Sequence, residues 1–386
     1  MFLLAIDQST SATKVMLVDR EGRIRDRVTL AHEQFYPAPG YVEHDAVEIY
    51  GNVLEGIRRI REQHRLDHTQ IACISITNQR ETALIWDKET GTPVARAAVW
   101  QCQRGADYCR VLQEKGHGDR VREKTGLLLD PYFSASKLHR IMADDPSLKE
   151  RAARGELLAG TMDSWLLWKL TGGKVHATDY SNACRTLLFN IRTLDWDGEL
   201  VALFGLHPSM LPEVRFSDEV FGTTEPGTGF EAPVPIGGLM GDSHAALFGQ
   251  LCTAPGMGKA TYGTGSSFML NVGTACPEAP GGLVSSIGFA RDRTVHYVLE
   301  GNIHFAPEHT INWLKNPTAA HRRCLRNGGP GLGSRGQPRL CISCRPLWVW
   351  ARPTGTTGPG PPSPACRATP PGPTWCGRPW KASPTR

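Results

Sequence analysis

The apolar and polar positions of the first thirty residues predict three short strands. Phe2–Ile6 is an apolar run that ends at Asp7, and the polar residues 8–14 turn the chain into a second run, Val15–Val18. Residues 19–22 make another turn, and Ile24–Leu30 returns as a third strand. A helix is predicted from about Ala46 to His64, because Ile49, Val53, Ile57 and Ile60 recur at spacings of four, four and three along one stripe. Ile71–Ile76, Leu84–Trp86 and Glu156–Ala159 read as strands, and Met162–Leu170 as a helix. Val234–Met240 reads as a strand running into a helix over Ser243–Gln250. Ala260–Tyr262 and Phe268–Val272 flank a glycine-rich turn, and Val295–Leu299 is a further strand. Strands mixed with helices predict an α/β protein, and no tandem repeat of fixed period is present.

Proline breaks this pattern near residue 317. Pro317–Arg386 holds 14 of the 28 prolines, together with four tryptophans and five of the 11 cysteines. Runs such as Pro359–Pro364 exclude helix and central strand. Proline-rich disorder is one reading of the segment. Tryptophan and cysteine are foreign to ordinary linkers, however, and a GC-rich gene translated out of frame yields this composition. We therefore read the tail as a disordered segment of non-homologous, frame-shifted origin. The Cys341 and Cys344 pair has zinc-ligand spacing but no second pair to complete a site.

Charge divides at the same place. The tail carries ten Arg, one Lys and no acid, +11 in all, so the chain's +5 leaves −6 for residues 1–316. That mildly acidic body gives no reason to expect nucleic acid as a partner. The 386 residues suit two domains. No run of 18 apolar residues predicts membrane insertion, and the start lacks the basic region of a signal peptide. The expected location is cytoplasmic.

Four motifs carry candidate chemistry. Residues 7–14 form a hydroxyl-rich turn whose N–H groups can cradle phosphate, with Lys14 adding positive charge; on spacing alone a plain polar turn fits better. Tyr262–Ser267 is a second such turn, without the Gly-Lys-Ser/Thr of a Walker A loop. Asp242 stands where a strand meets a helix, as a helix cap or as a general base, with His244 a rival base. Arg80 and Glu81 end a strand, where they are either a solvated turn or a donor–acceptor pair for vicinal hydroxyls. Trp100 and Tyr132 are the aromatic residues expected beside them, although residues of this type more often fill a core than wall a ligand.

Taken together, residues 36–45, 76–82, 99–102, 130–134, 194–197 and 262–265 resemble the glycerol kinases of the FGGY carbohydrate kinase family. The resemblance runs from about Leu3 to about Gly301. It implies a ribonuclease-H-like fold of the actin and Hsp70 ATPase type, with a complete first domain over 1–247 and an incomplete second, nucleotide-binding domain over 248–316, before the 317–386 tail. It also implies ATP-dependent phosphorylation of glycerol to sn-glycerol 3-phosphate, with ATP and Mg²⁺ as cofactors and a homo-oligomer of the family type. Carried over by position, Arg80, Glu81, Trp100, Tyr132, Asp242 and Ser243 would hold the polyol, and Asp242 would be the base. Thr10, Ser11, Ala12, Lys14 and Thr264 would touch nucleotide phosphates, and Asp7 would reach the metal through water.

This chain departs from that pattern at several points. Ser9 replaces a glycine, Ser243 and His244 replace a glutamine pair, and Ser266 and Ser267 replace Cys-Phe. The match fades around residues 302–309, where Pro307–His309 replaces a glycine-containing helix start. A different polyol or a ketose, and a catalytically dead remnant, are the alternatives. The missing second-domain helices are expected to leave the late strands uncovered.

Overall fold

The computed structural model describes residues 1–262 and 266–303. Thr264 and the tail from Pro317 lie outside the described residues. The first three strands form as read, over Phe2–Gln8, Ala12–Val18 and Ile24–Ala31, each antiparallel to the next. They continue into a six-stranded sheet. Its order is Val220–Thr223, Pro235–Gly241, Ile71–Asn78, Phe2–Gln8, Ala12–Val18, Ile24–Ala31. The three central strands, Pro235–Gly241, Ile71–Asn78 and Phe2–Gln8, run parallel.

The helix Ala46–His64 covers this sheet. Asp45 caps it, accepting from the N–H of Val47 at 2.8 Å and of Glu48 at 3.3 Å, and Arg65 ends it in the left-handed region. Its predicted stripe of Ile49, Val53, Ile57 and Ile60 is fully buried against Leu4, Ile6, Val15 and Leu17. Each such burial is worth about 1.5–3 kcal/mol, which outweighs the helix's intrinsic preferences. Gly56 permits the close approach: a Cβ there would lie 2.5 Å from Val15 Cγ2. The helix Met162–Leu170, buried almost all round, fills the same core with Trp165, Leu166 and Leu167.

A five-stranded sheet lies next in the chain and includes Ala83–Asp87 paired antiparallel with Leu157–Thr161. The helices Ala106–Glu114, Gly118–Thr125 and Ser134–Asp144, which the hydrophobic pattern had not singled out, fall between those two strands in the chain.

The last described strands, Gly258–Tyr262, Ser266–Gly273, Val284–Arg291 and Thr294–Ile303, form a four-stranded antiparallel sheet. The expectation that these strands stand uncovered is corrected in part. Met269, Phe289 and Val298 are buried with Leu247 of the helix Asp242–Gly249. Ile287, Val295 and Tyr297 are buried with Ala183, Cys184, Phe189 and Ile191. The first 250 residues therefore supply cover for both faces, and the exposed apolar groups that remain, Leu251, Met257 and Phe268, are few.

Candidate functional site

Three parallel strands end together. The register sets Gln8 opposite Asn78 and Asn78 opposite Gly241, so the segments following all three leave the sheet at one edge. Ligands of such sheets bind beyond the carboxyl ends of the strands. The turn after Gln8, the segment Gln79–Thr82 and Asp242 are thus brought to one place by topology alone.

The segment after Asn78 is strained. Glu81 has φ 61°, and the Thr82 N–H donates to the Arg80 carbonyl at 2.7 Å across it. A non-glycine residue held there costs of order 1–3 kcal/mol and persists only when its surroundings fix it. Here they do. Glu81 Oε1 accepts from Arg185 Nε at 2.6 Å, and Ser134 Oγ donates to the Glu81 carbonyl at 3.2 Å. Arg80 donates to both oxygens of Glu300, at 3.1 and 3.3 Å, and Arg185 Nη1 donates to Glu300 Oε2 at 2.7 Å. The quartet Arg80, Glu81, Arg185 and Glu300 is buried throughout. Burial works to raise the Glu300 carboxyl, but the two guanidiniums override it and hold the group well below the usual carboxylate range. A solvated turn, one of the two readings of Arg80 and Glu81, is therefore excluded.

Asp242 begins the helix Asp242–Gly249, and its Oδ1 lies 3.6 Å from Arg80 Nε and accepts from its neighbour Ser243 N–H at 2.6 Å. Gly241 lets Arg80 pass: a Cβ there would sit 2.7 Å from Arg80 Cγ. The Asp242 side chain keeps 42 % of its surface open while protein walls crowd its other sides. That surrounding raises its pKa, with Arg80 pulling the other way. A carboxylate with raised proton affinity, open to a ligand and beside a fixed cation, suits a general base. The rival, His244, is fully buried, and neither ring nitrogen is hydrogen-bonded to a described residue. Burial, then Arg80, hold its pKa far below the usual histidine value, so it is a neutral packed group and a poor base.

The first turn joins this place through an aromatic residue. Trp100 Nε1 donates to Thr10 Oγ1 at 2.9 Å, and Thr82 Oγ1 accepts from the Trp100 N–H at 3.1 Å. Trp100 meets Tyr132 edge to face at 5.7 Å, and the Arg185 guanidinium lies over the Tyr132 ring at 5.9 Å. The turn itself is closed by Ser9, whose N–H and hydroxyl both donate to the Ala12 carbonyl. Ser11 is exposed at its tip. Lys14 and Asp7 are cross-strand partners and form an ion pair at 2.7 Å.

Of the residues singled out in the sequence, Arg80, Glu81, Asp242, Ser243, Trp100, Tyr132 and Thr10 are brought together. Asp7, Ser11, Ala12 and Lys14 lie on the neighbouring hairpin. Three residues were missed: Arg185, Lys259 and Glu300. Glu300 carried a signal, because it continues the inward-facing positions of its strand two residues after the buried Val298. Arg185, after a four-residue helix, carried none.

Among the described residues, no group of three or more His, Cys, Asp or Glu is placed to hold a metal ion. A single carboxylate, Asp7, is compatible with Mg²⁺ carried mainly by substrate phosphates, which needs only one or two protein carboxylates.

Residues 2–249 match the N-terminal domain of the FGGY family of carbohydrate kinases. The chain is 51% identical over 315 residues to glycerol kinase 1 of Thermotoga maritima, covering 82% of this chain and 64% of that protein. It is 46% identical to the glycerol kinase of Bacillus subtilis over 82% of this chain and 63% of that protein. The structure is similar to that of Plasmodium falciparum glycerol kinase with ADP, with a TM-score of 0.77, 33% identity, and 83% and 65% of the two chains covered. The fold is shared with a xylulose kinase of Lactobacillus acidophilus at a TM-score of 0.72 and 19% identity. The chain thus spans less than two thirds of the length of the curated relatives it matches.

Proposed function

We propose, from the premise that this chain belongs to the FGGY family of carbohydrate kinases, that it serves ATP-dependent phosphorylation of glycerol to sn-glycerol 3-phosphate. The observation that carries the reading is the convergence of Arg80, Glu81 and Asp242 at the ends of parallel strands, beside Trp100 and Tyr132. Fixed charged donors and acceptors next to aromatic faces suit a small molecule whose hydroxyls need both and whose carbon edges need apolar contact.

Phosphoryl transfer requires chiefly positioning and charge stabilisation. Arg80 and Glu81 hold the vicinal hydroxyls, and the strained turn fixes both before the ligand arrives. Trp100 and Tyr132 wall the carbon chain, and Ser243 adds a polar contact. Asp242 takes the proton of the attacking hydroxyl. Thr10, Ser11, Ala12 and Lys14 would contact nucleotide phosphates, and the resemblance assigns the same role to Thr264, which lies outside the described residues. Asp7 would hold Mg²⁺ through water, and the ion would neutralise charge on the phosphates. Residues 1–247 form the polyol-binding domain and 248–316 part of the nucleotide domain, in a cytoplasmic protein where ATP is at hand.

A second reading is an FGGY kinase for a longer polyol or a ketose. It is favoured by Ser243, smaller than the glutamine it replaces and directly beside Asp242. Calorimetric titration of this chain with glycerol, xylitol and ribulose separates the two. Glycerol bound most tightly supports the first reading. Tighter binding of the five-carbon ligands overturns it in favour of the second, and binding of none overturns both.

A further inference from the structure

Lys259 lies on the strand Gly258–Tyr262 and is only 2 % exposed. The register sets Lys259 opposite Met269 and Met269 opposite Glu300, so the three residues share one face of the sheet. Two residues on, Thr261 stands opposite Ser267 on that same face. Lys259 Nζ donates to Thr261 Oγ1 at 2.7 Å and to Ser267 Oγ at 3.4 Å. Among the described residues, no carboxylate lies within the 4.0 Å of an ion pair with it. A buried ammonium held only by hydroxyls is under-compensated, because hydroxyl dipoles replace water poorly around a full charge.

Its charged neighbours are those of the site already described. Burial lowers the Lys259 ammonium to about 8, Arg80 pushes the same way, and Glu300 and Asp242 oppose both. Arg80 and Arg185 are matched by Glu81 and Glu300, with which they make close ion pairs. Beyond these two pairs stand Asp242, at 3.6 Å from Arg80 Nε, and Lys259, which among the described residues has no carboxylate within ion-pair distance; the two are near enough to influence each other without touching. That balance changes when Asp242 accepts a proton, for Lys259 then remains as the net positive charge of the corner.

We infer that Lys259 is a further catalytic residue, whose ammonium contacts the phosphoryl group as it passes from ATP to the polyol. The inference rests on the kinase reading given above. In that step the substrate hydroxyl oxygen bonds to the γ-phosphorus. The bond from that phosphorus to the bridging oxygen breaks, its electron pair leaving on ADP. The hydroxyl proton goes to the Asp242 carboxylate. As Asp242 becomes neutral, the phosphoryl oxygens bring negative charge to Lys259, which among the described residues has no carboxylate of its own. Lys259 is thereby held in reserve by Thr261 and Ser267, hydroxyls that can release it at little cost.

The test uses this chain with two ligands, glycerol and sn-glycerol 3-phosphate, titrated calorimetrically into the wild type, Lys259→Met and Lys259→Arg. A residue that touches only the transferred group loses affinity for the phosphate ester alone. Lys259→Met is expected to bind glycerol as the wild type does, which also shows that it has folded, and to bind the phosphate ester about tenfold or more weakly, as loss of a charge-assisted hydrogen bond requires. Lys259→Arg is expected to restore most of that loss. Equal weakening of both ligands, or of neither, overturns the inference. So does a wild type that binds glycerol but not its phosphate. A wild type that binds neither ligand overturns the kinase reading itself, and this inference with it.

Discussion

Replacing Glu300 by Gln removes one charge and almost no volume. Arg80, Arg185 and Glu300 are 5 %, 0 % and 1 % exposed, so water cannot take the place of the lost carboxylate. Arg80 and Arg185, each of which donates to Glu300, would then face one another across a neutral amide. Breaking a buried ion pair by removing one partner costs about 3–5 kcal/mol, mostly because the remaining charge stays buried. The loss should be read in urea unfolding followed by tryptophan fluorescence, as a lowered midpoint at unchanged slope. Glu300 lies on the strand Thr294–Ile303 while its partners follow Asn78 and Ala183, so hydrogen exchange should show loss of protection first in the four-stranded sheet. The pH dependence has a definite sign. The folded-state pKa of Glu300 is depressed, so its stabilisation is present above the ordinary value of about 4.3 and is lost as pH falls below it. Glu300→Gln should therefore flatten the acid limb of the stability profile as well as lower its plateau. Paired replacement with Arg185→Met should recover part of the loss, since the guanidinium left unmatched is gone. A Glu300→Gln protein within about 1 kcal/mol of wild type would refute the claim that this quartet ties the four-stranded sheet to the six-stranded one.

Asp242→Asn, made in a full-length relative, should lower turnover by about 10²–10⁴ while leaving polyol affinity nearly intact, and steady-state kinetics with calorimetry would check both. Glu81→Ala in the same setting should weaken polyol binding with little change in ATP affinity; equal loss of both would point to a folding defect. Gly56→Ala should destabilise by about 1–3 kcal/mol, because its Cβ falls 2.5 Å from Val15 Cγ2, and Val15→Ala added to it should restore much of the loss in urea unfolding. Asp163 is raised to about 6 by burial, against the hydrogen bonds from Thr161 and Thr178. Its stabilising contribution is therefore full below about pH 4 and lost as pH rises through about 6, so Asp163→Asn should narrow the stability difference between pH 4 and pH 7.

The central sheet and its helix were legible because their burial is one-sided. The stripe Ile49, Val53, Ile57, Ile60 and the runs 2–6, 15–18 and 71–76 each point one apolar face at the same core, and periodicity records such a face directly. Predicted element ends fell within a few residues of the observed ones, as in Val234–Met240 against Pro235–Gly241. The helices between residues 106 and 144 were not read. Two of them are short with narrow buried sides: Ala106–Glu114 buries Cys109 and Leu112, and Gly118–Thr125 buries Val121 and Thr125, too few positions to set a period; Ser134–Asp144 does carry a stripe, Ala135, Leu138, Ile141 and Met142, which the sequence reading passed over. The cover on the late strands was missed for another reason. It comes from Leu247, Ala183 and Phe189, residues far away in the chain whose own patterns do not announce a partner.

The site divides in the same way. Arg80, Glu81 and Asp242 were found because strand ends are visible in the sequence and ligands of such sheets bind beyond them. The resemblance to known kinases then chose between a solvated turn and a ligand pair. Arg185 and Glu300 escaped because a buried charge is defined by its partners, here 104 to 220 residues away, and a single Lys or Glu in a strand, Lys259 and Glu300 alike, reads as an exposed position even where, as at Glu300, the alternation of the strand marks it as inward-facing. Yet these three decide how the visible residues behave. Arg185 and Glu300 engage the hydrogen-bonding groups of Glu81 and Arg80, and so fix their orientation through the strained turn at φ 61°. A ligand hydroxyl entering beside Asp242 meets groups that are already oriented and need not pay again for ordering them. That preorganisation depends on a carboxylate from the four-stranded sheet, so the side of the site proposed to take the polyol is complete only while residues 294–303 are docked on the first 250.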